Sequence, residues 1–94
     1  MSDKHTQRNA EVKKAMMHRL NRIEGQVRGV KNMLDTDAYC IDIINQTAAI
    51  RSALSAFSNL LLEKHIQTCV RQGIGKGDAE VVDELLLTIK KMIK

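Results

Sequence analysis

Proline is missing from all 94 residues, tryptophan is missing as well, and tyrosine and phenylalanine occur once each. With no proline, nothing obliges a helix to kink or stop. With so few aromatic rings, the chain lacks the platforms on which unpaired bases stack, which argues against single-stranded nucleic acid as a partner. Cysteine occurs only at Cys40 and Cys69. Without a basic start followed by an apolar leader, two thiols do not make a disulfide framework. They are expected to stay reduced and open to metal or redox chemistry. Long hydrophobic runs are lacking too: the longest uncharged stretch, "SALSAFSNLLL" at 52–62, falls far short of the roughly 20 residues a bilayer span needs. These absences predict a soluble, cytoplasmic chain with no membrane association.

What is present is ordinary for a folded protein, 44% hydrophobic and 28% charged, with no internal shift of composition. One domain is expected over 1–94, with 1–8 as a flexible polar tail. Lys and Arg number 15 against 11 Asp and Glu, a net charge of +4. That excess is modest in one copy and becomes a sizeable field when several copies assemble. Polyanions are therefore the partners to expect, and duplex DNA before RNA.

Apolar residues recur at helical spacing through three segments and strand-like alternation is absent, which predicts an all-α fold. Val12, Met16, Leu20, Ile23, Val27, Val30 and Leu34 draw one continuous stripe on a helix of about seven turns. The Asp and Thr residues of "LDTDAY" (34–39) suit a helix end near 35–37 and an N-cap for the next helix. The second helix is expected from about Ala38 to Gln72. Its small residues, among them Ala48, Ala53 and Ala56, are interleaved with Ile43, Ile50, Leu54, Phe57 and Leu61, the pattern of a helix with neighbours on several sides. "QGIGKGD" (72–78) sets three glycines ahead of Asp78, a stop followed by a fresh N-cap. The third helix is expected to bury Val82, Leu85, Leu86, Ile89 and Ile93. Two long helices of roughly 45 Å are too thin a pair to cover their own apolar surfaces. A symmetric dimer, paired again into a tetramer, is the economical way to cover them.

His65 and Cys69 are four residues apart, so a continuous helix carries them on one face. Cys40, near the start of the same helix, lies roughly 37 Å away along the axis, beyond reach of any shared ion in one chain. An antiparallel partner solves the geometry by laying the beginning of one copy's helix beside the end of the other's. Cys40 of one protomer then joins His65 and Cys69 of its mate, giving two sites per dimer. Two thiolates and an imidazole suit Cu(I) or Zn. Zinc generally takes four ligands, so a three-donor set leans to Cu(I) unless water, Glu63 or an N-terminal residue adds a fourth. Taken by themselves, the same residues also fit a plainer role, with the cysteines as small core hydrophobes and His65 as an ordinary helix residue. His5 reads as a solvated tail residue and His18 as a helix-surface residue.

Arg8, Arg19, Arg22 and Gln26 share one flank of the first helix, next to its apolar stripe, where they could track phosphates or simply face solvent. Gly25 and Gly29 form a G-x-x-x-G inside that helix at a cost of about 1 kcal/mol each relative to alanine, for which tight helix packing is the preferred explanation.

The stretches "RLNRIEGQVRGVKNML" (19–34), "YCIDIINQTAAIRSAL" (39–54) and "LLEKHIQTCV" (61–70) closely resemble the copper-sensing repressors of the CsoR family. The likeness covers nearly the whole chain after the tail, and the order Cys40, His65, Cys69 matches that family's Cu(I) ligand pattern. The resemblance implies a three-helix protomer, a disc-shaped dimer of dimers, and operator DNA held without a helix-turn-helix until Cu(I) releases it. It also implies Tyr39 and Glu84 as hydrogen-bonding partners around the imidazole, with Asp83 a rival to Glu84. The family's DNA face maps onto Arg19, Arg22 and Arg51, with Lys14 a weaker candidate. Sister branches differ in their ligands. Nickel and cobalt sensors add histidines, formaldehyde sensors lack the second cysteine, and persulfide sensors lack the histidine; here Arg8 holds the position of the extra N-terminal ligand, with His5 nearby.

The expected function is a non-enzymatic, Cu(I)-responsive transcriptional repressor that couples metal binding allosterically to DNA release. Two alternatives are a repressor answering persulfide or another thiol oxidant, and a copper-buffering protein whose basic face binds no DNA.

Overall fold

The computed structural model describes residues 5, 7–67, 75, 77 and 79–93. Its described elements are three α-helices, α1 (Ala10–Asp35), α2 (Cys40–His65) and α3 (Ala79–Ile93), and no strand occurs among the described residues. The chain divides into two units, Met1–Asn59 and Leu60–Lys94, so the boundary falls inside α2.

In the first unit α1 starts at Asn9, whose side-chain oxygen accepts from the Glu11 amide at 2.8 Å and satisfies one of the free amides of the first turn. Its apolar stripe behaves as the periodicity predicts over most of its length. Met16 and Ile23 are buried and Val12, Leu20 and Val30 half-buried, while Val27 and Leu34 are exposed. Across the turn, Ile43, Ile50, Ala53 and Phe57 of α2 are half-buried, one face at helical spacing.

The Asp and Thr residues of 34–39 end α1 where the sequence places its stop, and the structure shows how. Asp37 has φ +56°, its amide donates to the Leu34 carbonyl at 3.3 Å, and the Ala38 amide donates to the Met33 carbonyl at 2.9 Å. This is a Schellman motif with aspartate where glycine is usual. Thr36 reinforces it through its hydroxyl, which donates to the Asn32 carbonyl at 2.8 Å. Asp37 and Thr36 thus serve the stop of α1. At the start of α2 the Tyr39 carbonyl accepts from the amides of Asp42 and Ile43, so the residue preceding that helix is neither Asp nor Thr. Because an L-residue at positive φ is strained, Asp37→Gly should raise unfolding stability by up to about 1 kcal/mol in urea titrations.

The regular α-helix of α2 ends at His65 and is followed by π-helix at 66–67; residues 68–74, and with them the expected end at Gln72, lie outside the described residues. Gly25 and Gly29 have no atom within 4 Å of where a Cβ would stand, so no close approach within the described chain offsets their helical cost.

In the second unit, Leu60, Leu61, Leu62, Lys64 and His65 at the end of α2 are half-buried, as are Val81, Leu85 and Ile89 of α3. The expected burial of Val82, Leu86 and Ile93 is not found, since they are 38%, 53% and 79% exposed. One chain covers a single narrow stripe of α3 with spacing four, and the rest of its broad apolar face has no cover among the described residues. The proposed N-cap Asp78 lies outside them.

Candidate metal and nucleic-acid sites

Cys40 and His65 are the first and last residues of α2, one unbroken α-helix of 26 residues. At the standard rise that separates them by roughly 37 Å along the axis. Cys40 is a free, exposed thiol, and His65 is half-buried. Cys69 lies outside the described residues. Among the described residues no three His, Cys, Asp or Glu side chains gather as a metal site would require.

The surroundings of Cys40 are apolar and open. At about 100° per residue, Cys40 shares a face of α2 with Ile44 and Leu54, which are 58% and 44% exposed. That face adjoins the stripe Ile43, Ile50 and Phe57, which lies about 60° to 100° around the helix from Cys40. Tyr39, just before the helix, is 69% exposed. Large apolar side chains thus lie open to water on the face that carries the free thiol. Near the other end, Glu63 is exposed and accepts from the Gln67 side-chain amide at 3.4 Å. Glu84 and Asp83 on α3 are both exposed; the Glu84 backbone carbonyl accepts from the Thr88 hydroxyl at 2.9 Å.

The basic residues separate into two groups. Arg19, Arg22 and Gln26 of α1 line a small open cleft of about 180 Å³ with Ile23, Ala53 and Ala56. Neither Arg19 nor Arg22 has an ion-pair partner among the described residues, whereas Arg28 lies 3.5 Å from Glu24 one turn back. Arg51 is exposed but does not line the cleft. It lies roughly 140° to 200° around α2 from Ala56 and Ala53, on the face that carries Cys40. Lys14, Arg8 and His18 are exposed, and none of them lines the cleft. Of the four basic residues named for DNA, then, the structure brings together Arg19 and Arg22. It adds Ala53 and Ala56, which the sequence showed only as small residues of a crowded helix.

Comparison with known proteins agrees with this architecture. Residues 12–91 match the family model described as metal-sensitive transcriptional repressor. The copper-sensing transcriptional repressor CsoR of Bacillus subtilis (strain 168) is 42% identical over 88 residues, covering 93% of this chain and 87% of that protein. Among solved structures, the copper-sensing repressor CsoR with Cu(I) from Geobacillus thermodenitrificans NG80-2 superposes with a TM-score of 0.90 at 43% identity, covering 96% of this chain and 95% of that one. The nickel-responsive transcriptional regulator InrS superposes with a TM-score of 0.74 at 30% identity, covering 94% and 97%.

Proposed function

Because the chain belongs to the metal-sensitive transcriptional repressor family, we propose that it is a Cu(I) sensor whose metal-free assembly holds double-stranded operator DNA and whose loaded assembly releases it. The observation that carries this reading is the placement of two soft donors, a free exposed Cys40 and His65, at opposite ends of one continuous helix. Such donors serve one ion only if two copies of α2 run antiparallel. Each site then takes Cys40 from one protomer with His65 and Cys69 from the other.

Two thiolates and one imidazole are a donor set for Cu(I). When bound, Cu(I) would link sulfur and nitrogen across the subunit boundary. Tyr39, beside Cys40, and Glu84, on α3, are proposed to hydrogen-bond the His65 imidazole and fix its orientation. The open apolar faces around Ile44 and Leu54 on α2, and around Leu86 and Ile93 on α3, support a homo-oligomer, a dimer of dimers, working as one domain per chain. Arg19, Arg22, Arg51 and Lys14 are proposed as the DNA contacts. No described helix is long and apolar enough to cross a membrane; a cytoplasmic regulator without catalytic activity is proposed from the family.

An anaerobic Cu(I) titration against a competing chelator, read alongside release of a fluorescent operator duplex, tests the reading. Binding should saturate near about one ion per protomer, since each copy contributes one donor set. Two thiols give up protons on binding. Affinity should therefore climb with pH, by up to about 100-fold per unit while both are protonated in the free protein. An affinity indifferent to pH, or loading without release, would overturn it.

A further inference from the structure

The turn that joins α1 to α2 is tied to both helices by hydrogen bonds, and one of its residues is strained. The amides of Thr36, Asp37 and Ala38 donate back to the carbonyls of Asn32, Leu34 and Met33 at 3.0, 3.3 and 2.9 Å, and the Tyr39 carbonyl accepts from the amides of Asp42 and Ile43 at 3.0 and 3.2 Å. Residues 36–39 alone separate the helices, so Cys40 follows Asp37 by three positions. Asp37, at φ +56°, is the only described residue other than glycine with a positive φ. An L-residue there crowds its Cβ against the backbone, whereas glycine makes the same turn without the crowding. The Asp37 side chain is exposed and has no hydrogen-bond or ion-pair partner among the described residues, so no side-chain contact with them offsets the strain.

We propose that this turn is a spring-loaded hinge for the Cys40 thiol, with operator DNA favouring its closed form and the Cu(I) site its open form. The closed form is the one described above. In the open form Asp37 returns to negative φ, and the amides of Asp37 and Ala38 exchange Leu34 and Met33 for water. Cys40 then shifts relative to α1, which carries Arg19 and Arg22. Neither helix has to unwind, because the change centres on one backbone position. Strain at Asp37 lowers the cost of opening, and strained residues of this kind belong to switch regions. The inference rests on the Cu(I)-sensor reading and deepens it. Two ligands that prefer opposite forms of one hinge oppose each other through it, so Cu(I) affinity and DNA release both follow the strain at position 37.

The test grades that strain in the full-length protein. Crowding at positive φ falls in the order alanine, aspartate, glycine. Asp37→Gly should therefore hold the hinge closed and Asp37→Ala should ease it open. Three quantities are measured for each: urea stability of the metal-free protein, Cu(I) affinity without DNA by anaerobic chelator competition, and anisotropy of a duplex enriched by the wild type, with and without saturating Cu(I). Asp37→Gly should be the most stable of the three proteins and yet bind Cu(I) more weakly than wild type, by up to about fivefold. Once loaded, it should hold the duplex more tightly than loaded wild type, and its metal-free DNA affinity should stay unchanged. Asp37→Ala should be the least stable, bind Cu(I) more tightly and release the duplex more completely. A plain helix stop would shift stability alone, so equal Cu(I) affinity and equal release in all three proteins would overturn the hinge while leaving the sensor intact. Stability that ignores the order would remove the strain and the hinge with it. If saturating Cu(I) leaves the wild type's DNA affinity unchanged, the sensor reading itself fails and takes this inference with it.

Discussion

Mixing two defective variants should restore copper binding. Cys40→Ala and Cys69→Ala, each unable to hold Cu(I) tightly alone, are expected to regain about a quarter of the wild-type sites when unfolded together in equal amounts and refolded. The arithmetic follows from two-fold symmetry. Random pairing makes about half of the dimers mixed, and each mixed dimer has one site with all donors intact and one lacking both sulfurs. A site built within one chain recovers nothing under any mixing. The difference is decisive because Cys40 and His65 are the first and last residues of the same 26-residue α-helix. Anaerobic titration of the refolded mixture against a chelator reads the recovered fraction.

The same geometry fixes the behaviour of Cys40→Ala by itself. Cys40 is exposed at the first turn of α2 and lies away from the buried Met16 and Ile23, so its loss should leave helicity and operator binding intact. What disappears is the coupling. Allosteric effects of this kind are worth about 1 to 3 kcal/mol, a change of roughly 5- to 150-fold in affinity. In the variant, DNA affinity should be equal with and without Cu(I). Normal copper-driven release by Cys40→Ala would remove the thiol from the mechanism.

Much of this was legible in the chain because the signals are local or periodic. A proline-free stripe with steps of three and four residues places Met16 and Ile23 inside, and the structure buries both. The break between α1 and α2 was legible from Asp and Thr residues, but the role of Asp37 was not. A Schellman stop usually announces itself with glycine, and aspartate at φ +56° carries no such mark. The third helix misleads for another reason. A broad apolar face shows that something must cover it without showing what, and in one chain only Val81, Leu85 and Ile89 gain cover. The glycines at 25 and 29 likewise find no close neighbour within the described chain. For the candidate sites, the sequence supplied the donor types and the length of the helix between them, on which the proposed two-chain site rests. It did not reveal that Arg51 turns away from Arg19 and Arg22, which needs the pairing of α1 with Ala53 and Ala56.

Arg19→Ala combined with Arg22→Ala should abolish tight operator binding while sparing Cu(I) affinity in the isolated protein. Both guanidinium groups lack a described carboxylate partner, so each is free to displace a counterion from DNA. Every phosphate left unneutralised should flatten the logarithmic salt dependence by about 0.9, so removal of two guanidinium groups per engaged copy should flatten it by about 1.8 per copy. With two copies engaged, the drop in affinity should reach at least about 100-fold in dilute salt and shrink as salt rises, because the missing attraction is electrostatic. Arg28→Ala is the matched control. Its guanidinium lies 3.5 Å from Glu24 with both side chains 71% exposed, so removing it takes away one positive charge whose field that carboxylate already offsets, and the salt slope should barely move. Arg51→Ala, from the opposite face of α2, separates two arrangements. A flattened slope would place the Cys40 face against DNA as well, and an unchanged slope would confine the contact to the flank of α1. Should the paired Arg28→Ala variant lose as much affinity as the double variant, net charge rather than placement would govern binding.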